Sequence, residues 1–310
     1  MKHILCLGLA PAFQRTLESA AFKMGGVNRM AANHTSPAGK SVNTGIALRR
    51  LGQNPLVTAF NGGPTGRLLA ARLNELGVPA AFTRVAGETR TCTTIVERDT
   101  GVVTELVEEA KRASEQEVAA FIKRNLACLR DCSMLAISGT LPPWVADDFY
   151  APFAFAAAKR NIPWVIDSHG RGLLAVLAMR PFIAKCNRDE LRKTALGKSD
   201  DFLANAREVM RLGAQNLLVT DGPNPGALVT PEGAWEFDIP EVKVINPIGS
   251  GDCVTAGMIA GICEGLSLKD AARLGFGCGS ANAMTMLPAW FDHAEACKLA
   301  KRVKARPLVA

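Results

Sequence analysis

The chain has 310 residues, of which 48% are hydrophobic and 21% charged, a composition that is ordinary for a globular protein with a substantial core. The net charge is +7, but one Tyr and four scattered Trp offer no stacking platform, so we expect no nucleic-acid partner. Apolar runs are far too short to span a bilayer, and nine cysteines without metal-ligand spacing indicate reduced thiols and a cytoplasmic protein without a membrane partner.

Short hydrophobic strands alternate with longer helical patterns along the chain. The predicted strands lie at 4–9, 56–60, 134–138, 164–167, 182–185, 216–220 and 242–245. The predicted helices lie at 42–51, 66–76, 115–129, 145–159, 202–212, 253–264 and 268–286. This alternation predicts an α/β fold in which helices cover both faces of a mostly parallel sheet. Ligands of such sheets bind at the carboxyl ends of the strands, so we expect functional residues there.

Two segments, residues 11–36 and 84–107, do not fit this alternation. The first is polar and contains glycines, and the second reads as two strands, 92–97 and 102–107, joined by a turn. Alternating Thr, Val and Ile in the second segment are typical of an antiparallel hairpin. We therefore expect a single domain over residues 1–310, in which these two segments form a small β-sheet lid over the main sheet.

Residues 246–252, Asn-Pro-Ile-Gly-Ser-Gly-Asp, carry the most specific functional signal. Gly249, Ser250 and Gly251 open a helix whose first N–H groups can converge on an anion. Asp252 in the first turn would repel phosphate, but it can take a proton from a hydroxyl that attacks phosphate. The motif therefore predicts phosphoryl transfer to an alcohol, with Asp252 as the base. An ordinary glycine-rich turn, with Asp252 as a helix-start residue, is the structural alternative.

The stretch Ala38-Gly39-Lys40-Ser41 is similar to the end of a P-loop. The first glycine of that motif would fall on His34, so we exclude a Walker-type site. Gly39 and Lys40 can still start the next helix near an anionic or hydroxylated ligand, with Asn43 in its first turn. A plain helix start with a solvated Lys40 is the alternative.

Asn187 and Glu190 follow a predicted buried strand, and their spacing of three places both on one side of a starting helix. An amide oxygen and a carboxylate suit Mg²⁺ held largely through water. Helix capping is the alternative. Thr220 and Gly222 close another strand in a tight turn near the same edge of the sheet.

Arg29 and Arg90 lie in the expected lid. An arginine can grip a phosphate with two donors, although a solvated surface arginine is the alternative for each. His169 follows Ser168 without a nucleophile-elbow pattern, so hydrolase chemistry is not supported.

Taken in order, these pieces resemble the PfkB (ribokinase-like) sugar kinases, and most closely the branch of 1-phosphofructokinase and tagatose-6-phosphate kinase. The matching pieces are Pro-Ala-Phe-Gln-Arg-Thr at 11–16, Gly26-Val-Asn-Arg29, Ala-Gly-Lys-Ser-Val-Asn at 38–43, Gly62-Gly63 with Gly66, Thr89-Arg90, Ser-Gly-Thr-Leu-Pro-Pro at 138–143, Lys185-Cys-Asn187 with Glu190, and 246–252. The resemblance implies a three-layer α/β/α sandwich with a β-sheet lid.

The resemblance also implies a role for each matching residue. Asp252 would be the catalytic base, and the preceding turn, Gly249, Ser250 and Gly251, the anion hole. The implied nucleotide contacts are Lys185, Asn187, Thr220, Gly222 and Asn282, with Asn187 and Glu190 organising Mg²⁺. The implied sugar contacts are Gln14, Gly39, Lys40, Asn43 and Ser138, and Arg29 and Arg90 would hold the phosphate that the sugar already carries.

The chain departs from the family pattern at four positions: Gln14, Ala38, Cys186, which replaces the proline of Lys-Pro-Asn, and Ser250. Gln14 stands where the family commonly has an Asp that accepts hydrogen bonds from sugar hydroxyls, and an amide offers one acceptor, one NH₂ donor and no charge. Ala38 replaces a glycine beside the sugar pocket. Ser250 replaces an alanine, and we expect its backbone N–H still to serve the anion hole.

The implied activity is ATP-dependent phosphorylation of a sugar phosphate, a hexose phosphate such as fructose 1-phosphate or tagatose 6-phosphate, with ATP and Mg²⁺. The implied assembly is a homodimer through the lid. Gln14 and Ala38 leave two alternatives open: a catalytically weak sugar-phosphate-binding or regulatory paralogue, and a kinase of an unphosphorylated sugar or nucleoside.

Overall fold

The structure, a computed structural model, describes residues 2–194 and 201–308. Its strands are β1 His3–Leu7, β2 Ala12–Ser19, β3 Ala32–Ala38, β4 Pro55–Thr58, β5 Phe60–Asn61, β6 Thr83–Arg84, β7 Arg90–Glu97, β8 Val103–Val107, β9 Cys132–Ser138, β10 Trp164–Asp167, β11 Ile183–Asn187, β12 Leu217–Asp221, β13 Asn224–Thr230, β14 Gly233–Asp238 and β15 Lys304–Pro307. Its α-helices are α1 Lys40–Arg50, α2 Gly63–Glu75, α3 Glu115–Cys128, α4 Ala151–Lys159, α5 Gly170–Leu174, α6 Arg188–Thr194, α7 Phe202–Arg211, α8 Ser250–Cys263, α9 Leu268–Ala283 and α10 His293–Arg302.

Nine strands form the main sheet, in the order β15-β14-β13-β12-β11-β10-β9-β1-β4. Six neighbouring strands of this sheet, β4, β1, β9, β10, β11 and β12, are parallel. The remaining strands, β13, β14 and β15, are added antiparallel. Ile4 and Cys6 of β1 pack into one apolar layer with α1, α8, α9 and α10, while Leu5 and Leu7 pack into the opposite layer with α3, α4 and α7. Because both faces of the strand are buried, its sequence is continuously apolar. The predicted three-layer α/β/α sandwich is confirmed.

A second sheet of four strands, in the order β3-β2-β7-β8, is built from the two segments that the alternation did not explain. Strand β2 runs antiparallel to β3 and parallel to β7, and β7 runs antiparallel to β8. The β2–β7 pairing therefore joins residues far apart in sequence. We call these four strands the lid sheet; its action as a lid, and the single domain over 1–310, stay predictions.

The predicted strand at 242–245 is wrong. This segment has no regular secondary structure, and the N–H groups of Ile245 and Asn246 both donate to the carbonyl oxygen of Ala283 at the end of α9. Pro240 and Pro247 flank the segment, and neither residue has an N–H group for a sheet ladder. The segment is therefore fastened to a helix end instead of to a neighbouring strand.

The predicted helix at 145–159 begins only at Ala151. Pro152 explains the difference, because a proline in the helix interior would clash with the preceding turn, whereas the first helical turn tolerates it. Of the helices in the described parts of the chain, none combines the length and apolar character needed to cross a membrane.

Candidate active site

The carboxyl ends of β9, β10 and β11 meet the first turns of α1, α6 and α8 at one edge of the main sheet. Asp167 at the end of β10 lies in register with Ser138 of β9 on one side and with Lys185 of β11 on the other. Lys40 begins α1, and the Gly-Ser-Gly turn begins α8. This edge is where a doubly covered parallel sheet binds its ligands.

Asp252 lies buried in the first turn of α8, directly after a left-handed turn at Gly249 (φ 81°). Asn43 donates a hydrogen bond from Nδ2 to Asp252 Oδ2 at 2.7 Å. Burial, and then the negative charge of Asp167, raise the pKa of Asp252 from 3.8 to about 6. The opposing influences of Lys40 and Asn43 are weaker. A carboxylate with this pKa is ionised at neutral pH and well matched to accepting a proton.

Asp167 is the electrostatic centre of the site. Its carboxylate is 0% exposed, and its Oδ2 accepts hydrogen bonds from Lys185 Nζ and Thr255 Oγ1, each at 2.9 Å. Lys40 Nζ lies 3.4 Å from its Oδ1. Burial alone would raise the pKa of Asp167, but Lys185 and Lys40 outweigh it and lower that pKa to about 2. The group therefore stays ionised and holds two ammonium groups together.

Those two ammonium groups lie beside the start of α8. The charge of Asp167 raises the pKa of Lys40, although burial acts in the opposite direction. A Cβ on Gly251 would lie only 3.1 Å from Lys185 Nζ, so a side chain at position 251 would press on the ammonium. Glycine at this position therefore lets Lys185 reach the turn formed by Gly249, Ser250 and Gly251, which we call the anion turn.

The N–H groups of the anion turn are not all free. Ser250 N–H donates to Pro247 O at 3.1 Å, so this amide is engaged within the turn, contrary to our expectation. The N–H groups of Gly251 and Asp252 belong to the first helical turn, where a helix supplies no acceptor of its own. These two amides are the donors that α8 can offer to a phosphoryl group.

Asn282 supports the anion turn from behind. Its Nδ2 donates to Ile248 O at 2.9 Å and to Ser250 Oγ at 3.0 Å, and its Oδ1 accepts from Ala289 N–H at 2.7 Å. The side chain is fully buried. The structure therefore makes Asn282 a brace for the turn, although we expected a direct nucleotide contact.

Asn187 and Glu190 bind each other. Asn187 N–H donates to Glu190 Oε2, and Glu190 N–H donates to Asn187 Oδ1, both at 2.8 Å. This reciprocal pair is a capping box, so the capping alternative is present in the structure. Glu190 Oε1 lies 3.0 Å from His169 Nδ1 and 4.0 Å from Lys40 Nζ. Burial alone would raise the pKa of Glu190. His169, Lys40 and the Asn187 amide outweigh burial and lower that pKa from 4.5 to about 2.

The side-chain oxygens of Asn187 and Glu190 fit a Mg²⁺ ion that keeps most of its water ligands. Glu190 is ionised, and its side chain is 17% exposed. Its Oε2 accepts from Asn187 N–H, while its Oε1 lies within ion-pair distance of His169 and Lys40, so the carboxylate keeps lone pairs for water. Mg²⁺ prefers oxygen ligands and gives up its water reluctantly. Asn187 Oδ1 is occupied by Glu190 N–H, so Asn187 contributes mainly by holding the carboxylate in place.

A cleft of about 310 Å³ lies where β7 meets the ends of β9 and α1. Lys40, Arg90 and Ser138, three of the residues that the resemblance assigns to the sugar phosphate, line it. Ser138 is buried, and its Oγ has no hydrogen-bond partner within the described residues. The cleft therefore offers two cationic groups and an unused hydroxyl.

Arg90 and Arg29 are placed differently. Arg90 donates from Nη1 to Glu108 O at 3.0 Å and from Nη2 to Ala10 O at 3.1 Å, and its buried Nε is unpartnered within the described residues. The guanidinium is thus fixed at the cleft with a donor to spare. Arg29 lies exposed in the connection between β2 and β3.

Gln14 is buried in β2 and contacts the neighbouring strand. Its Nε2 donates to Thr94 Oγ1 of β7 at 2.6 Å. An aspartate could not donate this hydrogen bond and could only accept one from the Thr94 hydroxyl. With Nε2 engaged, the Oε1 atom is the part of Gln14 that can accept from a ligand.

Three further predicted residues have simple placements. Gly39 precedes α1 with φ 107°, and a Cβ there would lie 2.9 Å from Pro11 Cα, so glycine allows the lid sheet to start against α1. Thr220 pairs with Asn187 across β12 and β11 and therefore lies at the same sheet edge. Gly222 follows in an exposed turn with φ 58°.

Sequence reasoning missed Asp167, Thr255 and His169. Asp167 was only the last residue of a predicted strand, and His169 was considered only for hydrolase chemistry. The available signal was a carboxylate at the carboxyl end of an otherwise apolar strand, which is where ligands of such sheets bind. Thr255 gave no signal, because its hydroxyl lies inside a helix.

Two comparisons link the sequence to known proteins. The family model of pfkB family carbohydrate kinases matches residues 1–287. The 1-phosphofructokinase of Bacillus subtilis (strain 168) is 30% identical over 285 residues, which are 91% of this chain and 93% of that protein.

Solved structures agree. Phosphofructokinase-2 from Escherichia coli, crystallised with fructose-6-phosphate, is 27% identical and superposes with a TM-score of 0.86 over 97% of this chain and 99% of that chain. Ribokinase from Thermotoga maritima is 17% identical and superposes with a TM-score of 0.73 over 97% of this chain and 100% of that chain, which confirms the expected ribokinase-like fold. The sequence match and the fold together place the chain in the pfkB family of carbohydrate kinases, which are phosphotransferases with an alcohol group as acceptor.

Proposed function

We propose that the protein phosphorylates a hexose phosphate, such as fructose 1-phosphate or tagatose 6-phosphate, with ATP. The observation that carries this proposal is the pairing of a base with an anion site. Asp252, whose pKa is raised to about 6, lies beside the cluster of Lys185, the buried Asp167 and the partly exposed Lys40 at the start of α8. The relatives named above include a 1-phosphofructokinase and a phosphofructokinase bound to fructose-6-phosphate, which supports a phosphorylated sugar as the acceptor.

In the proposed mechanism, Asp252 takes the proton of the attacking hydroxyl while Asn43 fixes the orientation of the carboxylate. The N–H groups of Gly251 and Asp252 and the ammonium of Lys185 stabilise the charge on the transferred phosphoryl oxygens. Mg²⁺, when bound with ATP, neutralises charge on the nucleotide phosphates. Glu190 would hold the hydration water of that ion, and Asn187 would position Glu190.

We expect Arg90 to bind the phosphate that the acceptor already carries. Arg90→Ala should raise the KM for the sugar phosphate by about tenfold or more, because a lost charge-assisted hydrogen bond costs about 1.5–3 kcal/mol. The KM for ATP should stay unchanged. Steady-state kinetics with coupled detection of ADP release measure both constants.

The matched control is Arg98→Ala, which removes an exposed arginine just beyond β7 whose Nε lies 3.5 Å from Glu18. A panel of sugars and sugar phosphates, each assayed with Mg²⁺, tests the function itself. If the wild type turned over unphosphorylated sugars better than sugar phosphates, both the role of Arg90 in phosphate binding and the proposed acceptor would be contradicted.

Gln14 motivates the alternative of a catalytically weak sugar-phosphate-binding or regulatory protein. Its amide is neutral, and one of its polar atoms is engaged with Thr94. The intact set of Asp252, Lys185 and Glu190 favours an active enzyme. Binding of a sugar phosphate without any phosphoryl transfer across the panel would support the alternative instead.

We infer that two copies pair through their lid sheets. Leu106 and Val107 of β8 are half exposed, and Met24 and Val27 at the tip between β2 and β3 are 86% and 91% exposed. A small sheet gains stability by covering its apolar surface. Light scattering should therefore report a dimer at micromolar concentration, and a monomer there would contradict the pairing.

A further inference from the structure

Thr255 connects the helix that begins at the anion turn to the strand that ends at Asp167. It lies in α8 one turn after Gly251 and is only 1% exposed. Its Oγ1 forms hydrogen bonds with Asp167 Oδ2 at 2.9 Å and with Gly251 O at 3.1 Å. A single buried hydroxyl therefore touches both the backbone of the anion turn and the central carboxylate of the site.

The hydroxyl of Thr255 is the donor in both contacts. A backbone carbonyl and an ionised carboxylate can only accept hydrogen bonds, so the one hydroxyl proton is shared between Gly251 O and Asp167 Oδ2. A hydrogen bond from a helical threonine to the carbonyl four residues earlier is common, and Thr44 makes one to Lys40 O at 2.8 Å. The contact of Thr255 with a buried carboxylate is additional to that bond, and the helix itself does not require it.

This hydroxyl is a more rigid donor than the two lysines on the same carboxylate. Threonine is β-branched and has two main χ1 rotamers in a helix, and the bond to Gly251 O selects one of them. Lysine instead carries its ammonium on a flexible four-carbon stem. Lys185 Nζ shares Asp167 Oδ2 with Thr255, and Lys40 Nζ lies 3.4 Å from Oδ1. Thr255 therefore fixes which oxygen of the carboxylate faces Lys185.

We propose that Thr255 is a positioning residue for phosphoryl transfer: its hydroxyl orients the Asp167 carboxylate, which in turn keeps the ammonium of Lys185 at the anion turn. This inference rests on the proposed function, since it needs Lys185 to stabilise the transferred phosphoryl group. Such stabilisation depends on a preorganised geometry, so a displaced ammonium contributes less to the rate. Loss of the hydroxyl should therefore lower kcat more than it changes either KM.

The test is steady-state kinetics with ATP, Mg²⁺ and the sugar phosphate that the wild type turns over fastest. Thr255→Val, which keeps the shape and removes the hydroxyl, should lower kcat about tenfold and leave both KM values within about twofold. Thr255→Ser keeps the donor, so its kcat should stay within about twofold of the wild type. The matched control is Thr44→Val, which removes a fully buried helical hydroxyl that donates to a backbone carbonyl, and its kcat should also stay within about twofold.

The route through Lys185 has a test of its own. In a Lys185→Met background, Thr255→Val should lower kcat by less than about twofold, because residues that act through one group are not additive. A further loss of about tenfold in that background would contradict the proposed route.

The inference is overturned if Thr255→Val keeps a kcat within about twofold of the wild type, if Thr255→Ser loses as much as Thr255→Val, or if KM changes more than kcat. An equal loss in Thr44→Val would also contradict it, because the loss would then follow from any buried hydroxyl. If circular dichroism shows that Thr255→Val is unfolded, Thr255→Ala takes its place in the comparison with Thr255→Ser. A wild type that transfers no phosphoryl group to any sugar phosphate would instead overturn the proposed function, and this inference with it.

Discussion

Replacing Asp252 by asparagine is expected to lower kcat by about 100-fold or more, the usual contribution of a positioned general base. The amide has nearly the same shape as the carboxylate, so the fold and the affinity for nucleotide should be kept. In the wild type, kcat/KM should rise with pH through about 6, because the proton must leave Asp252 before it can act. Turnover of the asparagine variant within about threefold of the wild type would remove Asp252 from this role.

The same substitution should increase the stability of the fold at neutral pH. The pKa of Asp252 is raised from 3.8 in the unfolded chain to about 6 in the fold, so the folded state binds the proton more tightly. Stability therefore falls as the pH rises through this window, and the buried charge opposes folding at pH 7. Denaturant unfolding at pH 7.5 should show a higher midpoint for Asp252→Asn, which also distinguishes lost chemistry from lost folding.

Asp167→Asn is expected to be the most destabilising single change in the site, by about 3–5 kcal/mol, because it leaves buried ammonium charge without its partner. Lys185 is the group affected most, since its side chain is 6% exposed and it lies 2.9 Å from the carboxylate. Asp147→Asn is the matched control: Asp147 pairs with Arg171 at the surface, where such pairs contribute about 1 kcal/mol or less. Denaturant unfolding of the two variants measures both values, and equal losses would contradict the account.

The loss of stability in Asp167→Asn should depend on pH, in a direction that follows from the pKa of Asp167. The pKa of Asp167 is lowered from 3.8 to about 2 in the fold, so its ionised form stabilises the native state. This stabilisation is fully present above pH 3.8 and disappears as the pH falls towards 2. The difference in unfolding free energy between the wild type and Asp167→Asn should therefore shrink in acid.

The sequence alone predicted the features that arise from a repeated pattern or from a single short motif. The alternation of apolar strands and helices predicted the layered sheet, and the turn at 246–252 predicted a base beside an anion site. The family resemblance supplied the assignment of Asn43 to this region. The contact between Asn43 and Asp252 spans 209 positions, and no local pattern could have given its distance.

Other features depend on register and on single prolines. Asp167 meets Lys185 because β10 and β11 pair with these two residues opposite each other, and strand order and register are not written in local composition. Apolar residues at 242–245 fit a strand in pattern, but the chain is held by Ala283 of α9 instead. We expected the backbone N–H of Ser250 to serve the anion hole and the side chain of Asn282 to contact the nucleotide. Both groups donate hydrogen bonds within the protein instead.

The residues to which we assign acceptor binding and those to which we assign phosphoryl transfer belong to two different sheets of this molecule. Gln14 and Arg90 belong to the lid sheet, while Asp252, Asp167 and Lys185 belong to the layers of the main sheet. The two groups therefore belong to separate hydrogen-bonded sheets, which meet where Phe13 of β2 packs against the core of the main sheet. An amide at position 14 together with a carboxylate at position 252 is the combination that we expect of a kinase that keeps the proposed phosphoryl-transfer chemistry and takes a different acceptor.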